Sequence, residues 1–180
     1  GYGARSRDLI RALINLDKYD VKILSQRWGN TRFGYLKDHK EKEISSRIID
    51  KVEVQPDIWM QITVPNEFQA MGKYNIGVTA GIETTLCHGN WLEGCNRMNL
   101  VLTSSEHSKK VFQETVYDKV NNNTKQSEGT LKLTTPIEIL LEGADLNKYF
   151  PTKVDSNTEI VKSLDAIKES FCFLSVGHWM

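Results

Sequence analysis

The sequence predicts an α/β protein built on a doubly wound parallel sheet with helices on both faces. Three observations point there. Apolar runs of strand length recur along the chain, separated by stretches with helical spacing, which is the pattern of β-α-β units. The run Asp57-Ile58-Trp59-Met60-Gln61-Ile62-Thr63, set between Pro56 and Pro65, is apolar nearly throughout rather than alternating, as in a strand covered on both sides. And 180 residues, 39% hydrophobic and 26% charged, suffice to bury a core without metal or disulfide.

The elements follow in order. Arg5 to Leu16 places Leu9, Ile10, Leu13 and Ile14 on one stripe with Asp8, Arg11 and Asn15 opposite, an amphipathic helix. Residues 21–24 make a short strand, Gln26 to Gly34 a surface loop, and Leu36 to Asp50 a weak helix whose charge-rich start is a solvated face. Strands are expected at 57–62, 75–79, 100–103 and 137–141, forming one parallel sheet together with 21–24. Asn66 to Met71 is a short turn or helix, Asn90 to Met98 a helix, and Ser104-Ser105 caps a helix reaching about Tyr117 with Glu106 in its first turn and Val111 and Phe112 on the core. The polar run Asn121 to Gly129 is an exposed loop. Asn157 to Ser170 is a helix and Phe171 to Val176 a last strand. In such a sheet a ligand binds beyond the carboxyl ends of the strands.

Composition narrows the function. Lys and Arg number 23, as do Asp and Glu, which argues against a strongly basic nucleic-acid binder or an acidic solvating tail. The charge is uneven: residues 1–51 carry +5 and the remainder −5, so an anionic ligand prefers the first third. Cys87, Cys95 and Cys172 form no CxxC pair and no disulfide framework, which fits a reducing compartment. With no apolar run of about 20 residues and no leader, a soluble, cytoplasmic protein is expected. Both ends are expected to be cut. The chain starts with Gly1, and Phe171 to Gly177 stops just after a strand-like run.

Five patterns bear on chemistry. Gly1-Tyr2-Gly3-Ala4-Arg5-Ser6 ahead of a helix would let backbone N–H groups approach a phosphate, with Arg5 and Arg7 adding charge; an ordinary tight turn explains it equally. Ser6 stands where a dinucleotide fingerprint needs its third glycine, and the preceding strand is missing, which disfavours an NAD-dependent oxidoreductase. Ile82-Glu83-Thr84-Thr85 follows a strand and brings a carboxylate and a hydroxyl to the sheet's carboxyl edge, where the plain alternative is a solvated loop glutamate. His88 lies near Cys87 and Cys95, but the spacing fits no zinc pattern, so no metal is expected. Glu106 and Glu114 are solvated charges of one helix, and the Asn122-Asn123-Thr124 sequon matters only in a secreted chain.

Taken together, these pieces resemble the N-terminal domain of retaining GT-B glycosyltransferases of the family 4 (group 1) type, over nearly the whole chain. Gly1 to Arg7 resembles the glycine loop after that family's first strand. The most specific stretches are Asn75 to Thr84, Trp91 to Asn99 and Thr103 to Phe112, which are similar to the runs "IGYT…ET", "W…CN" and "PS…VF". Glu142 to Phe150 resembles the "G-V-D…F" turn, and Phe173 to Trp179 the first strand of a second domain. Thr103 departs from a common proline, Ala144 from a valine and Thr85 from an acidic residue.

The resemblance implies a Rossmann-like acceptor-side domain over 1–170 and the start of a donor-binding domain at 171–180. It implies transfer of a sugar from a nucleotide-diphosphate donor to a glycan, lipid or other acceptor, without a metal or a further cofactor. Glu83 and Thr84 would be catalytic, and Gly1, Gly3, Arg5 and His88 would serve donor phosphate or substrate. The partner would be the missing C-terminal domain of the same polypeptide, with no nucleic acid. Peripheral contact with the inner face of a membrane is a further expectation. Competing readings are a non-catalytic Rossmann-like ligand-binding module and the NAD-dependent oxidoreductase.

Overall fold

Four parallel strands form the central sheet: β3 (Ile58–Ile62), β4 (Tyr74–Val78), β5 (Leu100–Thr103) and β8 (Ile137–Ile139), side by side in that order. The computed structural model describes residues 1–27, 34–38, 41–121, 123–147, 149–153 and 155–173, apart from the side chains of 37 and 38. Two compact units divide the chain, Gly1–Glu142 and Gly143–Met180. In the first unit, α1 (Tyr2–Asn15) leads to β1 (Ile23–Leu24), followed by α2 (Tyr35–Asp38), α3 (Lys42–Ser45) and β2 (Ile48–Ile49). A 3₁₀ turn at Pro65–Glu67 follows β3, α4 (Gly89–Cys95) follows β4, and α5 (Glu106–Glu114) follows β5. The hairpin β6 (Val116–Val120) and β7 (Ser127–Lys132) precedes β8. In the second unit, α6 (Glu159–Asp165) is capped by the Thr158 hydroxyl, which accepts from Val161 N at 3.4 Å.

Strand register explains the core. Gln61, Gly77, Val101 and Ile137 lie side by side on one face, all buried, beneath Phe68, Leu92 and Cys95 of the α4 side and Val111 and Phe112 of α5. A side chain at residue 77 would lie 2.5 Å from the Phe68 ring, so glycine is what lets the fully buried Phe68 lie flat on the sheet. On the other face, Ile10 and Leu13 of α1 border the same groove as Met60, Ile62 and Ile76. The architecture is therefore a Rossmann-like α/β fold, a parallel sheet flanked by helices.

Several elements differ from the sequence expectation. Residues 23–24 do not join the central sheet; they pair in parallel with Ile48–Ile49, inside the stretch expected to be helical. Arg47 to Ile49 gains a main-chain partner in β1, where Ile23 N donates to Arg47 O at 2.9 Å, and that pairing outweighs a weak helical pattern. The helix after β5 stops at Glu114 because Thr115 turns extended and its hydroxyl donates back to Val111 O at 2.7 Å. Val116 to Val120 then pairs antiparallel with Ser127–Lys132, so residues 127–129 of the expected loop are strand. The last helix covers Glu159–Asp165, shorter than expected, and Phe171 to Phe173 form no strand. The rest of that expected strand lies outside the described residues.

Candidate functional site

The carboxyl edge of the central sheet gathers the ends of β4, β5 and β8. Helix α1 opens there. Gly1 is its N-cap, with Gly1 O accepting from Ala4 N at 3.0 Å and Arg5 N at 3.2 Å. Gly3 thus lies in the first helical turn and Arg5 just beyond it, rather than in a loop ahead of the helix. Tyr2 fastens this end to β4: its Oη lies 3.1 Å from Thr79 Oγ1 and accepts from Ala80 N at 3.2 Å. Arg5 reaches β8, donating from Nη2 to Leu140 O at 2.7 Å and from Nη1 to Leu141 O at 3.2 Å.

Beside this junction is an open cleft of about 410 Å³, lined by Ala80, Ile82, Glu83, Ser104, Ser105, His107 and Ser108. The local sequence builds it from two turns. Gly81, at φ +92°, lets the chain turn sharply after β4 against Thr103 and Ser108, where a side chain would collide with the Ser108 Oγ. Opposite, Ser105 caps α5 by accepting from Ser108 N at 3.1 Å. The walls are then bonded together. Ser104 Oγ donates to Ala80 O at 2.7 Å, Ile82 N donates to Ser108 Oγ at 3.3 Å, and a His107 ring N–H donates to Thr84 O at 3.1 Å.

Glu83 is exposed on this cleft and makes no hydrogen bond or ion pair among the described residues. Its carboxylate is thereby available to a ligand, beside several hydroxyls, an imidazole and the amino end of α5. Such a set can hold polyol hydroxyls and accept a proton from one of them. Thr84 sits at the next bend with its hydroxyl donating to Leu86 O at 2.8 Å, outside the cleft lining. His88 caps α4, its Nδ1 accepting from Asn90 N at 3.2 Å. Gly1 and Gly3 line a separate, larger groove against α1. Of the six residues singled out from sequence, Glu83 is the one lining this cleft; Tyr2 brings the amino end of α1 to Ala80, three positions away.

Sequence reasoning missed Ser104, Ser105, His107 and Ser108 as lining. A strand followed directly by a capped helix at the same edge was the signal that could have found them.

The buried thiols do not extend the site. Burial raises Cys87, and burial with the neighbouring Cys87 pushes Cys95 up to about 12, so both stay protonated and non-nucleophilic near neutrality. Among the described residues, no three His, Cys, Asp or Glu side chains gather where they could hold a metal ion, and no helix is long and apolar enough to cross a membrane. Compared with family models, curated proteins and solved structures, the chain gives no match.

Proposed function

We propose that this chain is the acceptor-side domain of a retaining GT-B glycosyltransferase of the family 4 type, working with a donor-binding domain of the same polypeptide. What supports the reading, beside the resemblance of residues 75–112, is Glu83: an exposed carboxylate on a hydroxyl-lined cleft at the carboxyl edge of a parallel sheet. In the reaction the acceptor oxygen forms a bond to the anomeric carbon, the bond from that carbon to the diphosphate oxygen breaks, and the acceptor hydroxyl loses its proton. Glu83 orients that hydroxyl or takes the proton. Thr84 acts through its carbonyl, which the His107 ring holds, so that the bend carrying Glu83 keeps its place. The amino end of α1 at Gly1 and Gly3 favours the negative charge of the departing diphosphate. Arg5 braces α1 to the carbonyls after β8, and His88 contributes as the cap of α4.

The natural polypeptide incubated with nucleotide-diphosphate sugars and a mixture of glycan and lipid acceptors tests this. Acceptor-dependent release of nucleoside diphosphate, undiminished by a chelator, is expected. Binding without turnover would favour the ligand-binding module, and reduction of a nicotinamide cofactor the oxidoreductase.

A further inference from the structure

A second carboxylate stands at the carboxyl end of β3, outside the Glu83 cleft. Glu67 is exposed and ends the 3₁₀ turn that follows β3, and Thr63, only 1% exposed, donates from Oγ1 to its Oε2 at 2.5 Å. The turn does not need that bond. Its own main chain closes it, with Glu67 N donating to Val64 O at 3.0 Å and Phe68 N to Pro65 O at 3.1 Å. Gln61, 4% exposed, holds it as well: Nε2 donates to Glu67 O at 3.1 Å and Oε1 accepts from Gln69 N at 2.8 Å. What the Thr63 hydroxyl adds is a fixed direction for a carboxylate that water would otherwise solvate in any rotamer.

The same buried amide reaches a second segment. Gln61 Nε2 also donates to Oε1 of Gln26, an exposed residue just after β1, at 3.4 Å. Glu67 and Gln26 therefore flank one anchored nitrogen, and both border the groove between the two parallel sheets. Their remaining hydrogen-bonding groups complement each other. Among the described residues Glu67 makes no ion pair, its Oε1 takes no hydrogen bond, and the Gln26 amide N–H groups have no partner. An anionic acceptor beside a neutral donor matches two neighbouring hydroxyls, one donating to the carboxylate and the other accepting from the amide. A phosphate would meet the Glu67 charge, an ammonium would leave the amide donors without an acceptor, and an apolar ligand would dry both groups without pairing them.

We propose that Glu67 and Gln26 form a sugar-binding subsite that takes a vicinal diol, of a neutral saccharide or of a ribose, with Thr63 and Gln61 as the buried groups that hold them in place. The subsite shares no lining residue with the Glu83 cleft, and it binds its diol whatever reaction that cleft serves.

Titration calorimetry on the natural polypeptide tests the proposal, with glucose, galactose, mannose, maltose and lactose as probes in one arm and uridine, adenosine and guanosine diphosphates in the other. Binding in at least one arm is expected, weakened about tenfold or more by Glu67→Gln and by Gln26→Ala alike. The arm that shows it identifies the source of the diol. Glu67→Gln keeps an oxygen for Thr63, so the urea midpoint of both variants should stay where it is, and Glu83→Gln should leave this binding unchanged. Binding in neither arm overturns the proposal, as does an affinity that either substitution leaves unmoved. Binding abolished by Glu83→Gln also overturns it, since the ligand would then lie in the cleft. So does a lowered urea midpoint that accompanies lost binding in both variants, which would make Glu67 and Gln26 supports of the fold.

Discussion

Gly94→Ala sets two local effects against each other in α4. Alanine is the better helix former by about 1 kcal/mol, so on helix propensity alone the substitution stabilises. Packing opposes it. A Cβ at residue 94 would overlap the carbonyl oxygen and carbon of Pro65 and lie 3.0 Å from Asn66 N, all main-chain atoms of the 3₁₀ turn. That turn cannot yield freely, because Arg97 holds it through Nε to Phe68 O at 2.8 Å and Nη2 to Asn66 O at 2.9 Å, and Phe68 is fully buried. Overpacking of this kind costs about 3 kcal/mol at the upper end of its usual range. The net expectation is a loss of about 2 kcal/mol, read in urea unfolding as a midpoint lower by about 1 M at a slope of roughly 2 kcal/mol per M. An unchanged or raised midpoint would refute the close approach of α4 to residues 65–66.

Three further outcomes follow from the same contacts. Gly81→Ala, at φ +92° against Ser108, should cost about 2–4 kcal/mol in chemical unfolding and open the cleft, seen as faster exchange at Ile82. Arg5→Met removes the donors to Leu140 O and Leu141 O and should lower stability by about 1–3 kcal/mol with no donor sugar present, a result expected of a brace and not of a phosphate ligand. Because burial holds the Cys95 thiol up to about 12, the folded chain keeps a proton that the unfolded chain loses above about pH 9. Stability from this group is therefore complete below pH 9 and falls towards pH 12 by about 1.4 kcal/mol per unit, a slope that the difference between wild type and Cys95→Ala isolates by urea titration at several pH values.

The central sheet was legible because its strands carry their own evidence. Residues 57–63 are apolar between two prolines, and Ser105 precedes a helix with Val111 and Phe112 at core spacing, as found. What escaped notice depends on partners distant in the chain. Ile48–Ile49 is strand because Ile23–Leu24 lies beside it, and the polar residues 127–129 are strand because Val116 to Val120 supplies their main-chain bonds. The start of α1 was misplaced since Gly1 caps it with its carbonyl, leaving no side-chain cap for the sequence to display. In the cleft, Glu83 was legible from its position after β4, whereas Ser104, Ser105, His107 and Ser108 came in through packing of α5 against the Gly81 turn.

The most direct test of the proposed role is sugar transfer by the natural polypeptide carrying Glu83→Gln. Glu83 is exposed and supports no other residue among those described, so folding should change by no more than about 0.5 kcal/mol. Transfer should fall roughly 100-fold or more in kcat with the acceptor saturating, the scale of a lost general base. Transfer at the wild-type rate by a normally folded Glu83→Gln protein would contradict the account and leave Glu83 a solvated carboxylate on the rim.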